Sequence, residues 1–498
     1  MKRAAHLVSS VTASVVASFV LFTPHALAVP SYTREFGVSC TGCHTMWGSL
    51  NGAGATFRLS GYRAMNGKDL TPTEKPIELA NGALTMPGTF PASLITGVAV
   101  ESRREDRSDS TGVHTISNGT QITVADASIF LTAPLGKHLS FFIEFPMFES
   151  KAWEFTPTGP GEANAHPIGP TLLRTESPAF EVAKFWWNNL LGDGLPRDSV
   201  NLLAGITHLP LAYPSGKVRL AVNQYLVYER RGLDYLSPVP VDELLVDPEI
   251  SDGVFRLGEP QGMAEVNGMI VPGKPITDVG KRQTFWLEYH LGVTNASNLS
   301  SDNNNSKGVY GRYVMRWYNQ SLGGFAFYAS DISGAQIRAA GSGSGVAPGF
   351  MSARNAPNST VRAGPDATLS LAPFGLPVNL ENCVLYNREG DPTGFGREFV
   401  WWGGFHQLNW FVSPAAVVYA RYDWINGNQF DDTSVGGITR VDPREWDIIG
   451  GLQFLVPGVQ NLKIIAEYRH HEFEDRASRP NEASLTDDGV TLRAMVGF

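Results

Sequence analysis

Cys40-Thr-Gly-Cys43-His44 sets two thiols and an imidazole side by side in a chain of 498 residues with only three cysteines. Two thiols about one helical turn apart can each form a thioether with one vinyl group of a porphyrin. The adjacent imidazole then ligates the iron, which is the attachment pattern of a c-type haem. On this reading Cys40 and Cys43 carry one covalently bound haem c, and His44 is its proximal iron ligand and the residue through which electrons pass. The other uses of such a cluster need partners that the sequence does not supply. A redox-active pair needs a thioredoxin-like βαβ setting, a zinc half-site needs two further ligands nearby, and a disulfide across two residues would be strained. For the opposite face of the iron, Met65 in "SGYRAMNGKDL" is the candidate. A thioether sulfur there would favour Fe(II) and raise the reduction potential, whereas its alternative role is packing against the porphyrin. His114 and His138 are remoter alternatives. Trp47 and Phe57 are candidates for haem packing, with core filling as their other reading.

These residues need elements to hold them. A helix from Gly52 to Gly61 is expected between the cluster and Met65. Ahead of the cluster, Lys2 and Arg3, the apolar run "LVSSVTASVVASFVLF" and "ALA" at 26–28 read as a secretory signal peptide; a membrane anchor would need about 20 apolar residues without that ending. The expected organisation is a signal peptide over 1–28, a small α-helical monohaem cytochrome domain over 29–75, a linker over 76–90 and a β-barrel over 91–498.

Composition supports the β assignment. Charged residues make up 17% of the chain and apolar residues 43%, with 52 Gly, 32 Pro and 53 aromatic residues. That mixture disfavours disorder, and the Gly and Pro interrupt long helices. A net charge of −9 gives no basic footprint for nucleic acid. From about Pro91 the chain falls into segments of roughly ten residues with period-2 alternation, about sixteen in all. Examples are "TQITVADASIFLT", "TFWLEYHLGVT" and "AAVVYARYDWI". Strands of about 9–11 residues suffice to cross a membrane, and a sheet in lipid must close on itself. Short and long connections alternate, as in outer-membrane barrels. Trp186/Trp187 and Trp401/Trp402 lie near strand ends, where an interfacial aromatic girdle would sit. The last segment puts Val490, Leu492, Ala494, Val496 and Phe498 on one face, and resembles the C-terminal strand of outer-membrane barrels, whose terminal Phe belongs to the assembly signal. A soluble β sandwich or propeller would share the alternation, although no fixed 40–50-residue repeat is present. "GKVRLAVNQYLVYERRG" fits an amphipathic helix or a strand. Cys383 is expected to be a packed or lumen-facing thiol without a chemical role. His470 and His471 in "YRHHEF" would point to opposite faces of a strand and so could not chelate together.

Both termini of an even-stranded barrel lie on the periplasmic side, so the haem segment would begin at the periplasmic mouth. With so few residues to make an independent domain, it is expected to plug the lumen. Here "VPSYTREFGVSCTGCHTMWGSLNGAGATFRLSGYRAMNG" resembles the cytochrome region of the fused monohaem cytochrome–porin iron oxidases of iron-oxidising bacteria. The residues at the family's positions are Cys40, Cys43, His44, Trp47, Phe57, Leu59, Gly61 and Tyr62. The stretch after the haem motif departs from the commoner "FPxLxxFGRxFKLxGY" form and is more similar to the branch from acidophiles. The resemblance implies oxidation of extracellular Fe(II) in the outer membrane. It also implies that electrons pass to a periplasmic acceptor such as rusticyanin or a soluble c-type cytochrome. The alternatives are a porin with a structural or sensory haem stub, and a soluble periplasmic cytochrome enzyme with a β domain. Outer-membrane lipid is the remaining expected partner, and the sequence does not fix an oligomeric state.

Overall fold

A computed structural model describes residues 31–497 apart from 39, 47–48, 66–67, 83, 109–113, 150–152, 160–161, 168–179, 215–218, 230–255, 273–284, 297–305, 318, 333–335, 339–349, 353–356, 391–397, 428–429, 433–438, 442, 457–460 and 476–482. The signal-peptide segment, Trp47 and Phe498 therefore lie outside the described residues.

Sixteen strands form one closed antiparallel barrel. They are β1 (Ala92–Ser108), β2 (His114–Leu135), β3 (Leu139–Glu149), β4 (Val182–Trp187), β5 (Asn201–Thr207), β6 (Gln261–Ile270), β7 (Phe285–Thr294) and β8 (Gly308–Trp317). The second half comprises β9 (Gln320–Ile332), β10 (Pro357–Ser370), β11 (Val378–Glu389), β12 (Phe399–Ser413), β13 (Ala416–Gly427), β14 (Pro443–Leu455), β15 (Leu462–Asp475) and β16 (Ala483–Gly497). Each strand pairs with its sequence neighbours, and β16 closes on β1 from Ser484 opposite Ser108 to Gly497 opposite Ile95. Closure leaves no strand edge unpaired, which is the condition for a sheet in lipid. At one end most links are short, as at 136–138 and 414–415; at the other most are longer, as at 208–260 and 333–356.

Alternation of side chains sets the two faces. Outward-facing Ile122, Phe185, Leu291, Leu408 and Trp410 are exposed, while Glu288, His290, Gln407, Asn409 and Arg421 face the lumen and are buried. Many lumenal charges are paired, as in Arg312–Asp366 at 2.7 Å and Arg421–Asp423 at 3.0 Å. An apolar outside with a polar, internally paired lumen is the membrane-barrel arrangement. Each expected Trp pair splits between the faces. Trp187 and Trp402 are each 50% exposed, whereas Trp186 and Trp401 are buried inside. Adjacent strand residues point oppositely, so only one Trp of each pair can join an outer girdle.

The lumen is filled from both ends. From the long-loop end, the segment after β5 folds inward and carries helix α4 (Leu226–Glu229). Over the described residues 219–229 this is neither of the two regular forms expected of "GKVRLAVNQYLVYERRG". Arg421 donates to the Asn223 and Gln224 carbonyls at 2.9 and 2.8 Å, and Glu467 accepts from the Val222 amide at 2.7 Å. Tyr225 stacks on Phe405 with centroids 3.7 Å apart. Cys383 is buried beside it, 3.8 Å from the Tyr228 hydroxyl that donates to it, which agrees with a packed lumenal thiol. From the short-turn end comes the N-terminal segment. Among the described residues it holds three short helices, α1 (Ser31–Phe36), α2 (Cys40–Cys43) and α3 (Gly52–Leu59), with short antiparallel pairs such as Ala64–Met65 with Lys68–Asp69. Helix α3 ends two residues earlier than expected, and the region expected as a linker contains the pair Ile77–Leu79 with Leu84–Met86. It is no free-standing helical domain, because its apolar core is completed by the barrel wall: Phe57 and Tyr62 cluster with Trp186, Leu203 and Leu209.

Candidate functional site

Helix α3 is fixed to the cysteine cluster at its first turn. Asn51 caps it by accepting from the Gly54 amide at 2.9 Å. The Asn51 side-chain amide donates to the Gly42 carbonyl at 3.2 Å, and its backbone amide donates to the Cys43 carbonyl at 2.9 Å. A Cβ on Gly54 would stand 2.1 Å from that same carbonyl, so the helix can approach the cluster this closely only with glycine there. Farther along, Ala55 and Leu59 pack on Met269 and Trp286, and Arg58 lies 3.5 Å from Glu288. One helix thus ties the cysteine cluster to β6 and β7.

Its C-terminal end explains "RLSGY". Gly61 adopts φ +62°, and a Cβ there would come within 2.3 Å of Ser140 Oγ and 2.5 Å of Asn188. Tyr62 follows with φ 62°, a conformation unusual for a bulky side chain and one that surroundings must enforce. Its ring stacks on Tyr32 at 4.9 Å and meets Phe57 and Trp186 edge-on at 5.5 and 5.1 Å. Further bonds seat the segment on the barrel. Tyr32 bonds Thr132, Arg34 donates to the Ala92 carbonyl, and Arg63 donates to the Lys137 carbonyl and faces Asp198 at 3.4 Å.

Between segment and wall lies a cavity of about 310 Å³. Its lining includes Cys43, His44, Phe57 and Met65 from the segment, and Phe142, Lys184, Trp186, His208 and His290 from the barrel side. Of the expected site residues, the structure therefore brings Cys43, His44, Phe57 and Met65 to one space. Cys40 belongs to the same helical turn, α2, and Trp47 lies outside the described residues. The remoter histidines are elsewhere. His114 is exposed and bonded to Asp106 at 3.1 Å, and His138 bonds the Asn188 carbonyl at 3.1 Å. His470 and His471 do diverge: the first bonds Asp488 at 2.8 Å and the second, buried in the lumen, bonds Asp447 at 2.6 Å.

The donor set fits a haem. Burial pushes the His44 imidazole down to about 4, with Lys463 adding to the shift and a hydrogen bond to the Ser49 backbone opposing it. The ring is thus neutral at ordinary pH, the form that ligates iron, and its Nδ1 is buried without a hydrogen-bond partner. Aromatic walls and a volume at the low end of the usual ~300–1,000 Å³ suit a flat apolar cofactor.

Sequence reasoning missed Lys184, His208 and His290, because nothing local shows that a residue on a strand, or just past one, faces a distant segment. His290 holds Glu265 at 2.8 Å and Glu288 at 3.0 Å, so both its nitrogens are engaged. His208 pairs Nδ1 with the Gly258 carbonyl at 2.8 Å, and its Nε2 stands 3.7 Å from Glu181.

No family model matches the chain, and no curated protein matches it in sequence. Solved structures do match in overall course. In-vitro folded OmpT, an outer membrane protein of Vibrio cholerae, has a TM-score of 0.43 at 8% identity, over 82% of this chain and 99% of its own. The outer membrane channel DcaP of Acinetobacter baumannii has a TM-score of 0.43 at 10% identity, over 82% and 97%. The anion-selective porin from Comamonas acidovorans has the same score and identity, over 82% and 100%. The barrel itself rests on its own strand pairing.

Proposed function

We propose that this chain is an outer-membrane c-type cytochrome that takes electrons from extracellular Fe(II) and passes them singly to a periplasmic carrier. The observation that carries the reading is the shared cavity: Cys43, His44 and Met65 line one aromatic space between the N-terminal segment and the barrel wall. Cys40 and Cys43 would hold the haem, His44 would be its proximal ligand and Met65 its distal one. Bound there, the group supplies a one-electron Fe(III)/Fe(II) couple, matching the loss of one electron as each substrate Fe(II) becomes Fe(III). The residues of the chain then do three things. His44 stays neutral to ligate, Phe57, Tyr62 and Trp186 exclude water, and the Asn51 cap holds the thiol turn in place.

By the rule that outer-membrane barrels have short periplasmic turns and long extracellular loops, the N-terminal segment opens to the periplasm. A barrel core only about 25 Å tall means that one haem within it shortens the path from either side. The acceptor would be a small cupredoxin such as rusticyanin or a soluble c-type cytochrome, as the sequence resemblance implies. A passive porin is the second reading, and the closed barrel is what favours it. Against it stands the lumen, which holds the inward segment and the N-terminal segment together. Adding Fe(II) to intact cells that make the protein, while following the reduced-haem α-band, tests the proposal. Rapid appearance of the band is expected, and its absence in wild type would end the iron-oxidase reading.

A further inference from the structure

Lys184 stands on β4 and reaches into the cavity from the wall. Its ammonium donates to Thr207 Oγ1 at 3.1 Å and lies 4.7 Å from the Trp186 ring centroid and 5.4 Å from that of Phe142. Among the described residues no carboxylate forms an ion pair with it, although the lumen around it is rich in ion pairs. The two acids nearest in charge are Glu144 and Glu265, and Arg58 is the neighbouring cation. Glu265 is engaged by His290, Tyr310 and Asn267, each at 2.8 Å. Arg58 faces Glu288. A cation among aromatic rings, whose only hydrogen bond among the described residues goes to a hydroxyl, is costly unless an anion joins it.

We propose that Lys184 is the barrel-wall anchor for a haem propionate, with Thr207 holding its ammonium in position. The inference rests on reading Cys40–His44 as the haem attachment site. It adds that the barrel supplies the charge partner, so that the haem bridges the N-terminal segment and the wall. With a haem bound there, the ammonium would favour Fe(II) over Fe(III) and keep the propionate ionised.

The test compares full-length wild type with Lys184→Gln and Lys184→Arg, purified in detergent and checked for heat-modifiable migration as folded barrels. Haem content comes from the pyridine haemochrome, and midpoint potential from optical redox titration between about pH 5 and 8. Lys184→Gln should disfavour the reduced state by about tenfold, which is 59 mV for a one-electron couple. It should also acquire a potential that falls with pH as the propionate titrates, and Lys184→Arg should restore the wild-type profile. A haem-loaded Lys184→Gln with wild-type potential and pH profile would overturn the anchor alone. A wild-type potential that moves with added inorganic phosphate, lost in Lys184→Gln, would instead assign Lys184 to a free anion and also overturn it. Wild type without haem would overturn the cytochrome reading, and the anchor with it.

Discussion

Replacing Glu35 by Gln keeps the size of the side chain and removes its ionisation. Glu35 sits on α1, is 1% exposed, and has both carboxylate oxygens buried without hydrogen-bond partners. Burial pushes its pKa from the ordinary 4.5 up to about 8. Between those values the seated segment keeps a proton that the detached segment releases. Stability of seating therefore falls as pH rises through that window, and the full loss is reached above about pH 8. At about 1.36 kcal/mol per pH unit the loss amounts to roughly 4–5 kcal/mol. Gln has no such slope, but its unpartnered amide costs a pH-independent ~1–3 kcal/mol. The two curves should cross: wild type seats more firmly at about pH 5, and Glu35→Gln more firmly at about pH 9. Hydrogen exchange of the α1 amides and of the Gly37 amide, which donates to Thr33, reads this directly in detergent-purified protein. Parallel pH profiles for the two proteins would refute the reasoning.

Cys43→Ser and His44→Ala should abolish stable covalent haem and ordinary ligation respectively, read as pyridine haemochrome content and as a change of spin state. Met65→Ala should change the ligand-field bands and the EPR spectrum. If it does not and His208→Ala does, the distal ligand is the imidazole whose Nδ1 is already engaged with a backbone carbonyl, a common arrangement for a ligating histidine. Gly61→Ala should weaken seating of the segment by roughly 2–4 kcal/mol, through left-handed strain and the clash with Ser140 and Asn188, read as faster proteolysis of the segment. In planar bilayers the full chain should show almost no ohmic conductance; open-porin steps would contradict the filled lumen.

Much of the barrel was legible because period-2 alternation survives wherever one strand face meets lipid and the other meets the lumen. The count of about sixteen and the divergence of His470 from His471 both follow from that pleat. The Trp pairs do lie near strand ends, and the same pleat lets only one Trp of each pair face outward. The segment after β5 was ambiguous for a different reason. Its apolar residues, among them Leu220, Tyr225, Val227 and Tyr228, are buried on several sides by the lumen wall, so neither a helical nor a strand period is imposed on them.

The site divides in the same way. Cysteine spacing and the adjacent histidine are local facts of covalent geometry, and they could be read without a fold. Lys184 and His208 join the cavity only by facing the N-terminal segment across the lumen, an arrangement of residues far apart in the chain. The local sequence of His208, "ITHLPL", carries no trace of it. Yet Lys184 had one readable peculiarity. It is a lysine at an inward position of a six-residue strand whose inward neighbours are Val182 and Trp186. A charge placed among apolar inward residues needs a partner from elsewhere, and in a barrel that partner must come from whatever fills the lumen. Inward charges flanked by apolar inward residues are therefore where the sequence of a plugged barrel points to its contents.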